Sequence, residues 1–193
     1  VSKGKTERTK LEFLRQRYKA GSGAVAGCHG FVLVLDHLKP DFNIGKIFRS
    51  AETFGAREIH LVGIEWFDPG PAVGSFKKVP SKFHKDFASC RDLLLQEGYT
   101  IYALAPGEGE ALGRVALPLK CALVLGNEGV GLSFKAGETE GVIPLRIPQY
   151  GESQSLNVSV AASIAAFEYV RQHGLPETET SPQPNELRGQ EHA

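Results

Sequence analysis

Phe31-Val32-Leu33-Val34-Leu35 places five apolar residues in a row, and a short polar interval separates it from Asn43-Ile44-Gly45-Lys46-Ile47-Phe48-Arg49-Ser50-Ala51. A strand with one wet face alternates apolar and polar side chains; an unbroken run is the mark of a strand covered on both faces. In the second segment Ile44, Ile47, Phe48 and Ala51 recur at helical spacing, with Asn43 suited to the N-cap and Arg49 on a different face. Comparable apolar runs lie at 58–64, 99–105, 121–125 and 141–147, and helical patterns at 87–97 and 156–172. Strands alternating with helices predict an α/β domain built on a mainly parallel sheet flanked by helices.

A chain of 193 residues is long enough for one domain with a substantial core. Residues 24–174 are expected to form it, between a basic, partly helical arm at 1–23 and a disordered tail at 175–193 rich in Pro, Glu, Ser and Gln. The formal net charge is zero, which excludes a globally basic nucleic-acid binder but not a local patch. The arm is such a patch: seven Lys/Arg, among them Lys10, Arg15 and Arg17, stand against Glu7 and Glu12 between residues 1 and 20. Within it Leu11, Leu14 and Tyr18 are spaced as the apolar stripe of a helix. The stretch 66–83, rich in Gly, Pro and Lys, reads as a long loop that carries Lys77, Lys78 and Lys82, with Lys85 just beyond.

Three widely spaced cysteines offer neither a disulfide framework nor a paired metal motif. With no apolar run near the ~18 residues of a membrane span and no signal-peptide core, the expected location is cytoplasmic, with no membrane partner. The six histidines show no metal-ligand spacing, so no metal is expected, and His37 and His60, beside apolar strands, read as hydrogen-bonded structural residues.

Three segments remain for chemistry. The helix containing Arg49 follows a strand end, where α/β sheets gather ligands and a guanidinium suits a phosphate. Leu123-Val124-Leu125-Gly126-Asn127-Glu128-Gly129-Val130-Gly131-Leu132 runs a buried strand into three glycines around one acid, a composition that lets backbone approach a ligand closely. Residues 147–163 pass from a strand end through a Pro/Gly loop into a helix whose start carries Ser153, Ser155, Asn157 and Ser159, more polar side chains than one N-cap needs. A dinucleotide site at Gly107, Gly109 and Gly113 is disfavoured, because the last gap is one residue too long and Pro118 denies the following segment a long helix.

Taken in order, the three segments resemble the motifs of the SpoU/TrmH branch of the SPOUT RNA methyltransferases. The first matches as Asn43, Gly45, Ile47, Arg49, Ser50 and Ala51 closed by Phe54-Gly55-Ala56, the second as Gly126, Glu128, Gly131 and Leu132, and the third as Ile147-Pro148 followed by Ser155-Leu156-Asn157-Val158-Ser159-Val160-Ala161. Gln149 stands where relatives often carry Met.

The resemblance implies an α/β fold ending in a deep trefoil knot, an exception to the rule against knots. It implies an S-adenosylmethionine pocket using Leu104, Gly126, Ile147, Ser155 and Leu156, a homodimer with the active site at or near the subunit interface, and methylation of a ribose 2′-hydroxyl in RNA. In the implied roles Arg49 steadies the incipient alkoxide and its phosphate, Asn43 and Asn157 orient Arg49 and the ribose, Ser155 positions a ligand, and Glu128 holds the motif loops together. RNA is expected on Lys10, Arg15, Arg17, Arg49, Lys77 and Lys78, with tRNA favoured over rRNA. A catalytically silent RNA-binding factor on the same fold is the rival from another class.

Overall fold

The computed structural model describes residues 3–20, 23–152 and 155–174; Ser153 and the tail expected at 175–193 lie outside the described residues. Helix α1 (Lys3–Ala20) is followed by β1 (Val32–Asp36), α2 (Phe42–Thr53), β2 (Glu58–Val62), β3 (Ser81–His84), α3 (Phe87–Gln96), β4 (Thr100–Leu104), β5 (Glu110–Ala111), β6 (Cys121–Leu125), β7 (Val142–Arg146) and α4 (Val158–His173). The strands form one sheet in the order β3-β2-β1-β6-β4-β7-β5, and every pairing is parallel.

The unbroken apolar runs do face two layers. Leu33 and Leu35 of β1 join Ile59 and Leu61 of β2 and Leu123 and Leu125 of β6 in a core shared with α1, α2 and α4. Val32, Val34, Ala122 and Val124 point the other way, onto Cys90 and Leu94 of α3. Ala162, Ala165 and Ala166 are fully buried. Their small side chains let α4 lie close to the sheet and α2, where the Ser50 and Ser163 hydroxyls meet at 2.7 Å. Tyr169 closes the layer, its ring 4.7 Å from that of Phe31 and its hydroxyl donating to the Leu119 carbonyl.

The arm is helical, as its composition suggests, but its anchor is a different residue. Leu11, Leu14 and Tyr18 are exposed, whereas Phe13 is 1% exposed and packs on Phe67, Phe76 and Phe83. The reason lies in 66–83, which is not one long loop. It folds into two short 3-10 turns, Gly70–Ala72 and Ser75–Lys77, and then the edge strand β3. The turns bring Phe67 and Phe76 together with Phe48 into an aromatic cluster that Phe13 completes. β3 is half-buried at every position and carries Lys82 and His84, so no apolar run announced it.

Burial pushes the Cys121 thiol up to about 12, and burial together with the Asp36 carboxylate does the same to Cys90. On β2 the opposite balance holds. Burial works to raise the Glu58 carboxyl, but hydrogen bonds from His60 and Lys82, and their charges, bring it down to about 2. His37 and His60 are thus both hydrogen-bonded to carboxylates, His37 to Asp36 and His60 to Glu58, as expected of structural histidines.

Candidate functional site

A cavity of about 510 Å³ opens at the carboxyl ends of β4, β6 and β7. In open parallel sheets this is where ligands gather, because the loops that leave the strands there converge. Leu104, Gly126, Ile147, Ser155 and Leu156, the five residues expected to hold a cofactor, all line it, together with Glu128 and Asn157.

Its floor is a turn that only glycine permits. A Cβ on Gly126 would stand 2.5 Å from the Gly131 carbonyl carbon and 2.6 Å from the Leu132 nitrogen. Asn127 and Gly131 exchange backbone hydrogen bonds of 2.8 Å in both directions, with Gly131 at φ +78°. The Asn127 side chain closes the turn, accepting from the Gly129 and Val130 N–H groups and donating to the His37 carbonyl. Asp36, fully buried at the end of β1, accepts from the Ser133 N–H at 2.6 Å, from its hydroxyl at 3.0 Å and from His37 Nδ1. Asp36, Asn127 and Ser133 were not singled out from the sequence. The one available signal was a carboxylate directly after five apolar residues of a two-sided strand, where a charge survives only if it is hydrogen-bonded.

At the rim one chain of side-chain hydrogen bonds ties the three motif segments together. Asn43 Nδ2 donates to Glu128 Oε1 at 2.8 Å, Asn157 Nδ2 donates to Asn43 Oδ1 at 3.2 Å, and Asn157 Oδ1 accepts from the Ser159 N–H and hydroxyl. An amide is suited to this because it carries a donor and an acceptor on one planar group. Asn43, only 4% exposed, is therefore the link between the glycine turn and the start of α4. Its role as an N-cap is corrected: Asp41 caps α2 by accepting from the Asn43 N–H, and Asn43 sits in the first turn with its side chain free to bridge. Asn157 does cap α4.

Arg49 is elsewhere. It is exposed on α2 and lines a second, open groove of about 740 Å³ between α2 and α4, with Ser159, Val160, Ser163 and Phe167. Among the described residues no hydrogen bond or ion pair engages it. Asn43 and Asn157, expected to orient Arg49 and the ribose, hydrogen-bond to each other, to Glu128 and to Ser159, and among the described residues no hydrogen bond joins either to Arg49. The start of α4 divides the two spaces, with Val158 and Ala161 facing the cavity and Ser159, Val160 and Ser163 facing the groove.

The expected RNA contacts divide as well. Lys78 is paired with Glu52 at 2.7 Å, Lys10 stands over the Trp66 ring and Arg17 over the Phe83 ring. Arg15 and Lys77 have no hydrogen-bond or ion-pair partner among the described residues.

The site is thus a glycine-floored cavity at the strand ends of a parallel α/β sheet, knitted to a helix start by paired asparagines so that the three motif segments are joined. The sequence model of the SpoU rRNA Methylase family matches residues 30–167, and the chain belongs to that family. It is 38% identical over 159 residues to a 23S rRNA (guanosine-2′-O-)-methyltransferase of Xylella fastidiosa, covering 78% of this chain and 62% of that protein. It is 31% identical over 162 residues to an uncharacterised tRNA/rRNA methyltransferase of Synechocystis, covering 81% of this chain and 42% of the relative. The chain thus spans between about two and three fifths of the length of these relatives. Among solved structures, the A. aeolicus TrmH/SpoU tRNA modifying enzyme superposes with a TM-score of 0.69 at 25% identity, covering 89% of this chain and 91% of that one. No helix among the described residues is long and apolar enough to cross a membrane.

Proposed function

We propose that the protein is an S-adenosylmethionine-dependent methyltransferase acting on a ribose 2′-hydroxyl in RNA. The observation that carries this reading is the side-chain chain Glu128–Asn43–Asn157, which binds the three motif segments together at the rim of a cavity lined by all five expected cofactor residues. A solved AdoMet-bound rRNA methyltransferase of Sinorhizobium meliloti, TM-score 0.67 at 25% identity, supports the choice of cofactor.

The cavity fits such a group. Its volume lies in the range of small-molecule sites, and its floor presents main chain at Gly126, where any Cβ would collide, and at Gly131, whose φ of +78° favours glycine, which suits adenine and ribose recognition by backbone groups. Bound there, S-adenosylmethionine supplies an electrophilic methyl group. The remaining work is to align the attacking oxygen and to lower the energy of the charge that grows on it as its proton leaves.

Arg49 is the residue for that charge. A guanidinium stays protonated in proteins, so it acts as an electrostatic stabiliser of the oxygen and the neighbouring phosphate and not as a base. Because Arg49 of one chain lines the groove and not the cavity, it serves the cavity of a second copy, which fits a homodimer packed across the α2–α4 groove with its exposed Val160 and Phe167. Ser155 at the cavity wall positions ligand, while Asn43 and Glu128 act through the loops they hold. The insertion of β6 between β1 and β4, with β7 outside β4, agrees with a C-terminal segment threaded as a trefoil knot. RNA backbone is met by Arg15 and Lys77, which have no hydrogen-bond or ion-pair partner among the described residues, with Lys10, Arg17 and Lys78 as further cations.

Ribosomal RNA is the first substrate class to test, given the 23S rRNA enzyme among the relatives. Transfer RNA is the second, because the tRNA modifying enzyme of A. aeolicus matches this chain over nearly its whole length. The test is transfer of tritiated methyl from S-adenosylmethionine to separate rRNA and tRNA fractions, followed by nucleoside analysis. Label in a 2′-O-methylnucleoside is expected. Label on a base, or cofactor binding with no label in either fraction, overturns the proposal, the latter in favour of a silent RNA-binding factor.

A further inference from the structure

His60, His84 and Cys90 are far apart in sequence, and the fold brings them together on the α3 side of the β2–β3 edge, outside both cavities. His60 and Cys90 are fully buried, His84 is half-buried, and one ligating atom from each lies within 4.8 Å of the others. We infer that these three side chains form a binding site for a borderline-soft divalent cation of the zinc type.

The first support is the hydrogen-bond arithmetic. His60 Nε2 lies 3.0 Å from Glu58 Oε1, and that carboxylate also takes the Lys82 ammonium at 2.8 Å. A carboxylate only accepts, so His60 Nε2 carries a proton, and in the tautomer that a metal ligand requires Nδ1 holds one lone pair. That lone pair faces two groups, His84 Nε2 at 3.0 Å and Cys90 Sγ at 3.6 Å. One lone pair does not serve two donors well, so protons alone leave either the imidazole or the thiol under-satisfied. A single cation takes up all three lone pairs.

The second support is metric. Tetrahedral zinc, with bonds of about 2.0–2.1 Å to nitrogen and about 2.3 Å to sulfur, sets its ligand atoms about 3.3 Å apart for two nitrogens and about 3.6 Å for nitrogen and sulfur. The two measured separations from His60 Nδ1 are close to both. The third edge, His84 to Cys90, is no longer than 4.8 Å, and half-buried His84 is the ligand nearest solvent and hence the entry path. Glu58 supplies the outer partner that ligating histidines ordinarily have, fixing the tautomer and orientation of His60. Three protein ligands leave the fourth position to water. Cys90 releases its proton to solvent on binding, and the cation supplies the positive charge that a buried thiolate otherwise lacks. The site would clasp the edge strand β3 to α3.

The experiment uses the full chain, stripped with chelator and titrated with Zn²⁺ by calorimetry and with Co²⁺ by absorbance. One zinc per chain is expected, with a thiolate-to-cobalt charge-transfer band, intense tetrahedral d–d bands and a raised Tm. Glu58→Gln should weaken zinc about 10- to 100-fold while keeping the charge-transfer band. Cys90→Ser should remove that band, and His84→Gln, at a half-buried position that tolerates exchange, should weaken zinc more than Glu58→Gln does. Absence of stoichiometric zinc, a cobalt spectrum without the charge-transfer band, or affinity unchanged in His84→Gln overturns the inference.

Discussion

The cavity at the strand ends and the groove between α2 and α4 are neighbours built on opposite principles. The cavity is main chain held from behind: Asp36 grips Ser133, Asn127 grips His37 and its own turn, and Asn43 joins Glu128 to Asn157. The groove is side chains more loosely held: Ser50 and Ser163 bond across it, but Arg49, exposed beside Val160 and Phe167, has no hydrogen-bond or ion-pair partner among the described residues. Pre-ordered loops lose little entropy when a ligand binds, which is what the first design offers. On the function proposed above, a guanidinium that serves a second copy and an RNA calls for the second, because its partners arrive only with the assembly.

The largest expected effect breaks the comparison at the groove. Arg49→Ala should lower kcat about 100- to 1000-fold while leaving S-adenosylmethionine affinity near that of the parent, measured by methyl transfer and by calorimetry. A parallel collapse of cofactor affinity would place Arg49 in the cavity. Gly126→Ala breaks the cavity instead: a Cβ facing Gly131 and Leu132 should cost about 1–3 kcal/mol, read as a roughly tenfold or greater loss of cofactor affinity. Mixing these two variants sharpens the contrast further. If Arg49 serves the partner's cavity, mixed dimers contain one intact site and regain activity; no recovery after subunit exchange would confine the site to one chain.

Asn43→Asp should be more harmful than its size suggests. It replaces the donor that Glu128 accepts with a second carboxylate, at a position 4% exposed, and should cost about 2 kcal/mol in thermal unfolding. Asn43→Ala removes the bridge without adding the repulsion, so equal losses in the two variants would show that the Glu128 contact contributes little. The smallest effect concerns RNA alone. Joint replacement of Arg15 and Lys77 by Ala should flatten the slope of log K against log salt by about 1–2, with cofactor affinity unchanged; an unaltered slope would move the RNA footprint off α1.

Five strands were legible from their apolar runs, and their observed bounds fall within two residues of the predicted ones; β1, β2 and β6 are buried at every position, whereas β7, with Ile143 46% exposed, is covered less completely. β3 was not, since an edge strand needs no such run and this one carries Lys82 and His84. Leu11, Leu14 and Tyr18 formed a convincing helical stripe, yet Phe13 is the residue that docks, because the cluster receiving it comes from turns 50 residues and more away. The same limit applies to the site. The order of small polar and glycine residues identified the segments that line the cavity, but the Asp36–Ser133 and Asn127–His37 contacts join residues 90 or more apart in the chain, which no local pattern encodes.

By itself the sequence determined the two-sided sheet, the glycine turn and the polar helix start, since burial, glycine geometry and capping act on neighbours in the chain and leave their mark in spacing; the family and the five cavity residues came from the resemblance of its motifs. Only the tertiary structure decided that Asn43 links the motifs and does not cap, that Arg49 faces a groove and not the cavity, and that His60, His84 and Cys90 meet. Each of these depends on which face of an element turns toward another across the sheet, a relation between distant residues that hydrogen bonds and packing settle only once the chain has folded.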